Sequence, residues 1–179
     1  QLLVINAATY PFILAAIAVV EIPVVRGPVE QGFRQLTTGL RIARGRPVLT
    51  RLLLTMMLFS LASLAFVGLF ATVATLAFRM EPTSAAYSWL YAVFGLGALT
   101  GGLAGGTVFA RIDKRRLIRP AFLAFAVSEL VFGLLRSPGP AYVMAFALGT
   151  SYLLVTTSMS IVYQQSMADD ERTFLMALW

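Results

Sequence analysis

From Leu52 to Phe78 the chain runs 27 residues without a charged side chain, and Ser84–Ala110 repeats that length. Crossing the hydrocarbon core of a bilayer takes a helix of roughly 17–25 apolar residues. Ala141–Tyr163 and Leu2–Val20 satisfy the same requirement with 23 and 19 uncharged residues. Pro120–Leu135 is shorter, at 16 residues, and holds Glu129. Leu117 and Ile118 extend it, and Arg119 and Arg136 can snorkel to the two interfaces. The runs are continuous instead of alternating, which disfavours a β-barrel. Composition agrees: 59% of the 179 residues are hydrophobic and 12% charged, against about 45–50% and about 25% in a soluble domain. One water-soluble core of this size cannot bury so much apolar surface. The expected fold is an all-α membrane protein, a polytopic helical bundle with spans at 52–78, 84–110, 118–135 and 141–163, and another starting near 173.

The basic residues set the orientation. Six Lys or Arg separate the first two spans, one (Arg79) follows, then five (Arg111, Lys114, Arg115, Arg116 and Arg119), then Arg136 and Arg172 singly. Cytoplasmic loops carry the excess of Lys and Arg. Residues 21–51, 111–119 and 164–172 are therefore expected in the cytoplasm of a cell (inner or plasma) membrane. Tyr87, Trp89 and Tyr91 suit an aromatic belt at the outer interface. The net charge of +6 is thus a topology signal and does not call for nucleic acid. Within the first connection Phe33, Leu36, Leu40 and Ala43 recur at helical spacing, with Arg34 and Arg41 to one side. That pattern predicts a short helix on the inner leaflet, weakened by Gly32 and Gly39; a plain solvated linker fits the same segment.

Three features could carry function. Gly97, Gly101 and Gly105 repeat every four residues, with Ala98, Gly102 and Gly106 beside them, so a neighbouring helix can approach closely. Tight packing explains this, as does a helix that slides during a conformational cycle. Glu129 is the one carboxylate inside an apolar run, where a charge costs at least about 2.5–3.5 kcal/mol. It reads as an ion-coupling site, as a neutral acid hydrogen-bonded between helices, or as an acid drawn toward the outer surface because its span is short. Ser60 and Ser63 in one span, with Thr150, Ser151, Thr156 and Thr157 in another, are candidates for a substrate pathway, although hydroxyls often bond their own helix. Met56, Met57, Met144 and Met159 offer an adaptable apolar surface. The chain has no His and no Cys, which removes the usual general base, thiolate and common metal ligands. No cofactor, metal or enzymatic activity is expected. The chain opens on an apolar run at Gln1 and closes on "FLMALW", so it is expected to be a piece of a longer protein.

Residues 106–116, "GTVFARIDKRR", resemble the cytoplasmic loop signature of the major facilitator superfamily: Gly, three residues, Asp, a basic residue, one residue, Gly and two basic residues. Gly106, Arg111, Lys114 and Arg115 match; Ala110 stands in place of the Asp and Asp113 in place of the second Gly. With "NAATY" early in the first span, the long basic connection and "ADDERTFLMAL" after the last, the chain resembles the drug- and siderophore-exporter branch, similar to enterobactin exporters and macrolide-efflux-type proteins. The resemblance implies helices six to ten of a twelve-helix transporter and the start of helix eleven. Residues 1–20 would end the N-terminal bundle, 21–50 would link the bundles, and 51–179 would belong to the C-terminal bundle. Helices seven, eight, ten and eleven border the central cavity in that family, whereas helix nine, carrying Glu129, lies outside. Without the Asp, a charge-relay latch in the loop is not implied, but Arg111, Lys114 and Arg115 can still bind anionic headgroups or helix ends. The implied activity is ion-gradient-driven efflux of small amphipathic molecules by alternating access. Its partners would be the lipid bilayer, a small-molecule substrate and the missing N-terminal half. A non-transporting membrane scaffold is the alternative.

Overall fold

The computed structural model describes residues 32–179, apart from the Leu64 side chain, and ahead of them the helical positions Pro11, Ala15 and Val19. Otherwise the expected span Leu2–Val20 and residues 21–31 lie outside the described residues. Every regular element in 32–179 is an α-helix: α1 (Phe33–Arg44), α2 (Pro47–Phe78), α3 (Ala85–Gly106), α4 (Lys114–Leu134), α5 (Pro138–Gln165) and α6 (Arg172–Leu178). Helices α2 to α5 are each long and apolar enough to cross a membrane. The chain is a polytopic helical membrane protein.

Local chemistry sets the helix ends. Pro47 and Pro138 open α2 and α5, where a missing N–H costs nothing because the first turn has no partner for it. Ser84 accepts a hydrogen bond from the Tyr87 N–H at 3.2 Å, and Asp113 from the Arg115 N–H at 3.0 Å. The apolar run 84–110 is not helical to its end: α3 stops at Gly106 and the chain turns. Lys114 then folds back across the turn. Its Nζ donates to the carbonyls of Gly105, at 2.9 Å, and of Phe109. Lys114 is only 9% exposed, so a buried ammonium closes the negative end of α3, where a cation is favoured.

Two kinds of packing hold the spans. Between α3 and α5 the backbones touch. A Cβ on Gly97 would overlap the Phe146 carbonyl, one on Gly101 the Thr150 carbonyl, and one on Gly149 the Phe94 carbonyl. Ala141, Ala145 and Gly149 of α5 follow one another every four residues, all buried, and form the complementary small-residue row. Lipid supplies no hydrophobic drive between helices, so such close approach is what dispersion requires. Contacts rise together along both chains, so α3 and α5 run parallel.

Helix α2 is held by rings instead. Phe59 meets Phe122 and Phe125 edge-on at 5.2 Å, and Phe70 stacks on Phe132 at 5.3 Å. Phe66 reaches both Phe94 of α3 and Phe132 of α4. These pairs make α2 parallel to α4 and antiparallel to α3. The start of α2 and the ends of α3 and α5 therefore lie together at one end of the bundle.

At that end α1 packs on α6. A Cβ on Gly39 would press against the Phe174 carbonyl, Gln35 Nε2 donates to the Thr173 carbonyl at 3.0 Å, and Arg46 pairs with Glu171 at 3.0 Å. The Tyr163 hydroxyl donates to the Leu175 carbonyl at 2.7 Å. The expected helix is present, but its stripe divides: Ala43 is buried while Phe33, Leu36 and Leu40 stay exposed. The physical reason is that Gly39, which weakens the helix by propensity, is the residue that lets α6 come close.

Gly101→Leu is expected to cost more than the usual ~1–3 kcal/mol of overpacking, because the clash is with main chain, whereas Gly106→Leu, which meets nothing, should cost under about 0.5 kcal/mol. Thermal unfolding of the detergent-solubilised protein separates the two. In the same assay Lys114→Met should destabilise by about 2–3 kcal/mol through loss of charge-assisted hydrogen bonds, and exposed Arg115→Met by under about 0.5 kcal/mol.

Candidate functional site

Because rings hold α2 away from its neighbours' backbones, space remains beside α5. Met56, Ser60 and Ser63 fall on one face of α2 at i, i+4 and i+7, and Tyr152, Thr156 and Ser160 on one face of α5 at i, i+4 and i+8. Two cavities open between these faces, and another between α2 and the end of α6. One of about 300 Å³ is lined by Leu53, Met56, Met57, Ser60 and Leu61 with Leu178 and Trp179. A second, about 350 Å³, lies against Met56, Thr156, Thr157, Ser160, Ile161 and Trp179. The third, about 160 Å³, is lined by Met56, Phe59, Ser60, Ser63, Val67 and Tyr152. Met56 borders all three, so they lie side by side along one groove-like face, with a flexible thioether between them. Among the described residues no charged side chain lines it.

The Trp179 ring stacks on Tyr163 at 4.6 Å, and the Tyr163 hydroxyl anchors α6, which together fix the wall at one end. Hydroxyls, thioethers and aromatic faces can bind an uncharged or amphipathic molecule by dispersion and single hydrogen bonds. Among the described residues no group of three His, Cys, Asp or Glu gathers as a metal site.

The sequence candidates separate. Ser60, Ser63, Thr156 and Thr157 meet in the groove. Thr150 and Ser151 do not join them: Thr150 sits against Gly101 and donates to the Phe146 carbonyl, and Ser151 is buried and donates to the Ala147 carbonyl. Gly97 and Gly101 meet α5 backbone, Gly105 and Gly102 face the Leu154 and Leu153 side chains at 3.5 and 3.8 Å, and Gly106 faces open space. Of the loop residues, Lys114 is consumed in capping α3, while Arg111 and Arg115 are exposed.

Glu129 does not enter a helix interface. It is half-buried on the outer face of α4, beside Ala126, Leu130, Gly133 and Leu134 in a cavity of about 410 Å³. The buried face of α4 runs instead through Leu117, Ala121, Phe125, Ser128 and Phe132. Phe59, Tyr152 and Met56 are groove residues that hydroxyl counting misses; the helical spacing that unites them with Ser63 and Thr156 is the signal for them.

No curated protein and no solved structure matches the chain. The family model described as transmembrane secretion effector, within the major facilitator superfamily, matches residues 2–174. Four membrane-competent helices, alternating in direction, suit a transporter of that type. The chain belongs to the transmembrane secretion effector family of major facilitator transporters.

Proposed function

We propose that the chain is part of a secondary active exporter of small amphipathic molecules, of the drug or siderophore type, and that the groove between α2 and α5 is a stretch of its substrate path. The observation that carries this reading is the groove itself: three adjacent cavities lined, among the described residues, by hydroxyl and apolar side chains and no charge. In this reading α2 to α5 are helices seven to ten of the transporter and α6 begins helix eleven. The groove helices are then two that border the central cavity, and α4, with Glu129, lies outside it.

The basic segments support an orientation with the α1 end in the cytoplasm. Arg41, Arg44, Arg46 and Arg51 share that end with the 111–119 cluster, whereas Arg79 and Arg136 lie at the other. Exposed Arg111 and Arg115 are placed to meet anionic headgroups there. Alternating access would proceed by rocking this bundle against its counterpart half about the midplane, driven by an ion gradient. The backbone contacts at Gly97, Gly101 and Gly149 favour α3 and α5 moving as one body over sliding past each other. Glu129, facing outward among apolar residues without a partner among the described residues, is left to tune the coupling from the periphery.

Two measurements on the full-length transporter test this. The described residues contain no cysteine, so single cysteines at Ser60 and Thr157 can be probed against a quiet background. Both should react with a small water-soluble maleimide at least about ten-fold faster than Leu123→Cys on the outer face of α4. In proteoliposomes, Ser60→Trp should lower gradient-driven efflux of fluorescent amphipathic dyes at least about ten-fold while leaving the unfolding temperature unchanged. Equal labelling at all three positions, together with undiminished efflux, would sink the groove as a substrate path and favour a scaffold.

A further inference from the structure

Hydroxyls in these helices mostly turn inward on their own backbone. Thr55, Thr75, Thr100, Thr107, Thr150, Ser151 and Thr156 each donate to a carbonyl four residues earlier. Ser63 does not. It is 5% exposed, and its Oγ is buried with no hydrogen-bond partner. A buried hydroxyl left unpaired costs roughly 1–3 kcal/mol, so its place on the wall of a cavity requires a reason. Ser158 has the same orphaned oxygen but lines none of the three groove cavities.

The space in front of Ser63 has a definite size and character. At about 160 Å³ it resembles the roughly 150 Å³ cavity that holds one benzene molecule in an engineered protein core. Phe59 and Tyr152 present rings 5.6 Å apart, tilted by 30°, and Met56 and Val67 complete the apolar wall. Among the described residues no carboxylate or cation borders it, so none of them compensates a charged group that enters. An aromatic ring would stack at the Tyr152 face and, on a side-chain shift that uncovers the Ser63 Oγ, which is buried at rest, bring a hydroxyl or carbonyl to it.

We infer that this pocket is a subsite for one uncharged aromatic ring bearing a hydrogen-bonding oxygen, and that Ser63 selects for that oxygen. The inference rests on the groove being the substrate path and states what chemistry its smallest cavity accepts. The remainder of a larger molecule would extend past Met56 into the two wider cavities. A substrate built this way is recognised by a neutral aryl end, not by a cationic one.

The test compares 4-fluorophenol with fluorobenzene, observed by fluorine NMR on the full-length transporter in nanodiscs, with empty nanodiscs subtracted. 4-Fluorophenol is expected to bind about five-fold more tightly. Ser63→Ala should abolish that preference while leaving fluorobenzene binding unchanged, and Val67→Phe, which fills the pocket, should remove both. Equal binding of the two probes to the unaltered protein overturns the proposal, as does a Ser63→Ala effect that weakens both alike. If neither probe binds while Ser60→Trp still stops dye efflux, the subsite falls and the groove stands. Efflux that survives Ser60→Trp takes down the groove itself, whatever the probes do.

Discussion

Everything else in the bundle depends on the backbone contact between α3 and α5. In a bilayer, burying one apolar side chain against another gains little, because lipid tails are equally apolar. What remains is dispersion at short range, and Gly97, Gly101 and Gly149 allow it by removing the one atom that would hold the backbones apart. The contact is reciprocal: α3 offers two glycines to α5 carbonyls, and α5 returns one to Phe94. With that parallel pair locked, α4 packs against α5, and α5 is the most buried of the four spans, at 44% against 12% for α2.

The groove follows from the contrast between the two modes of packing. Where small residues meet, no space is left. Along α2 the contact is ring against ring, through Phe59, Phe66 and Phe70 to α4 and through Phe59 to Tyr152 of α5 at 5.6 Å, and ring pairs prefer centroid separations of about 4.5–7 Å. That spacing props α2 away from the α5 backbone and opens the room that Ser60, Ser63, Thr156 and Thr157 line. Aromatic residues thus act as spacers as well as glue. The same logic closes the other end, where Tyr163 and Trp179 stack and α6 is tied to α1 through Thr173, to Arg46 at the start of α2 through Glu171, and to α5 through Leu175.

Lys114 shows how a sequence motif can be legible while its use is not. As one of five clustered cations it reads as part of a topology signal. In the fold it is the one drawn inside, because α3 ends at Gly106 with carbonyls that need donors and the turn to α4 is short enough for Nζ to reach Gly105 and Phe109. Its neighbours Arg111 and Arg115 keep the exposed positions. The division of labour comes from the path of residues 107–113, which charge spacing alone does not define.

Hydropathy by itself determined the number and approximate extent of the membrane-crossing helices in the described residues, and the glycine periodicity marked α3 as a close-packing helix. Both are one-dimensional properties: crossing lipid requires length without charge, and close approach requires small residues on one face. The loop signature and the basic segments carried the family resemblance in the same way. Only the tertiary structure decided which hydroxyls face a shared space. Ser63 and Ser151 look alike in sequence, each a serine in an apolar helix. One bonds its own backbone and the other fronts a cavity, because that outcome turns on the neighbouring helix: a glycine contact closes the space beside Ser151's turn, and a phenylalanine stripe opens it beside Ser63.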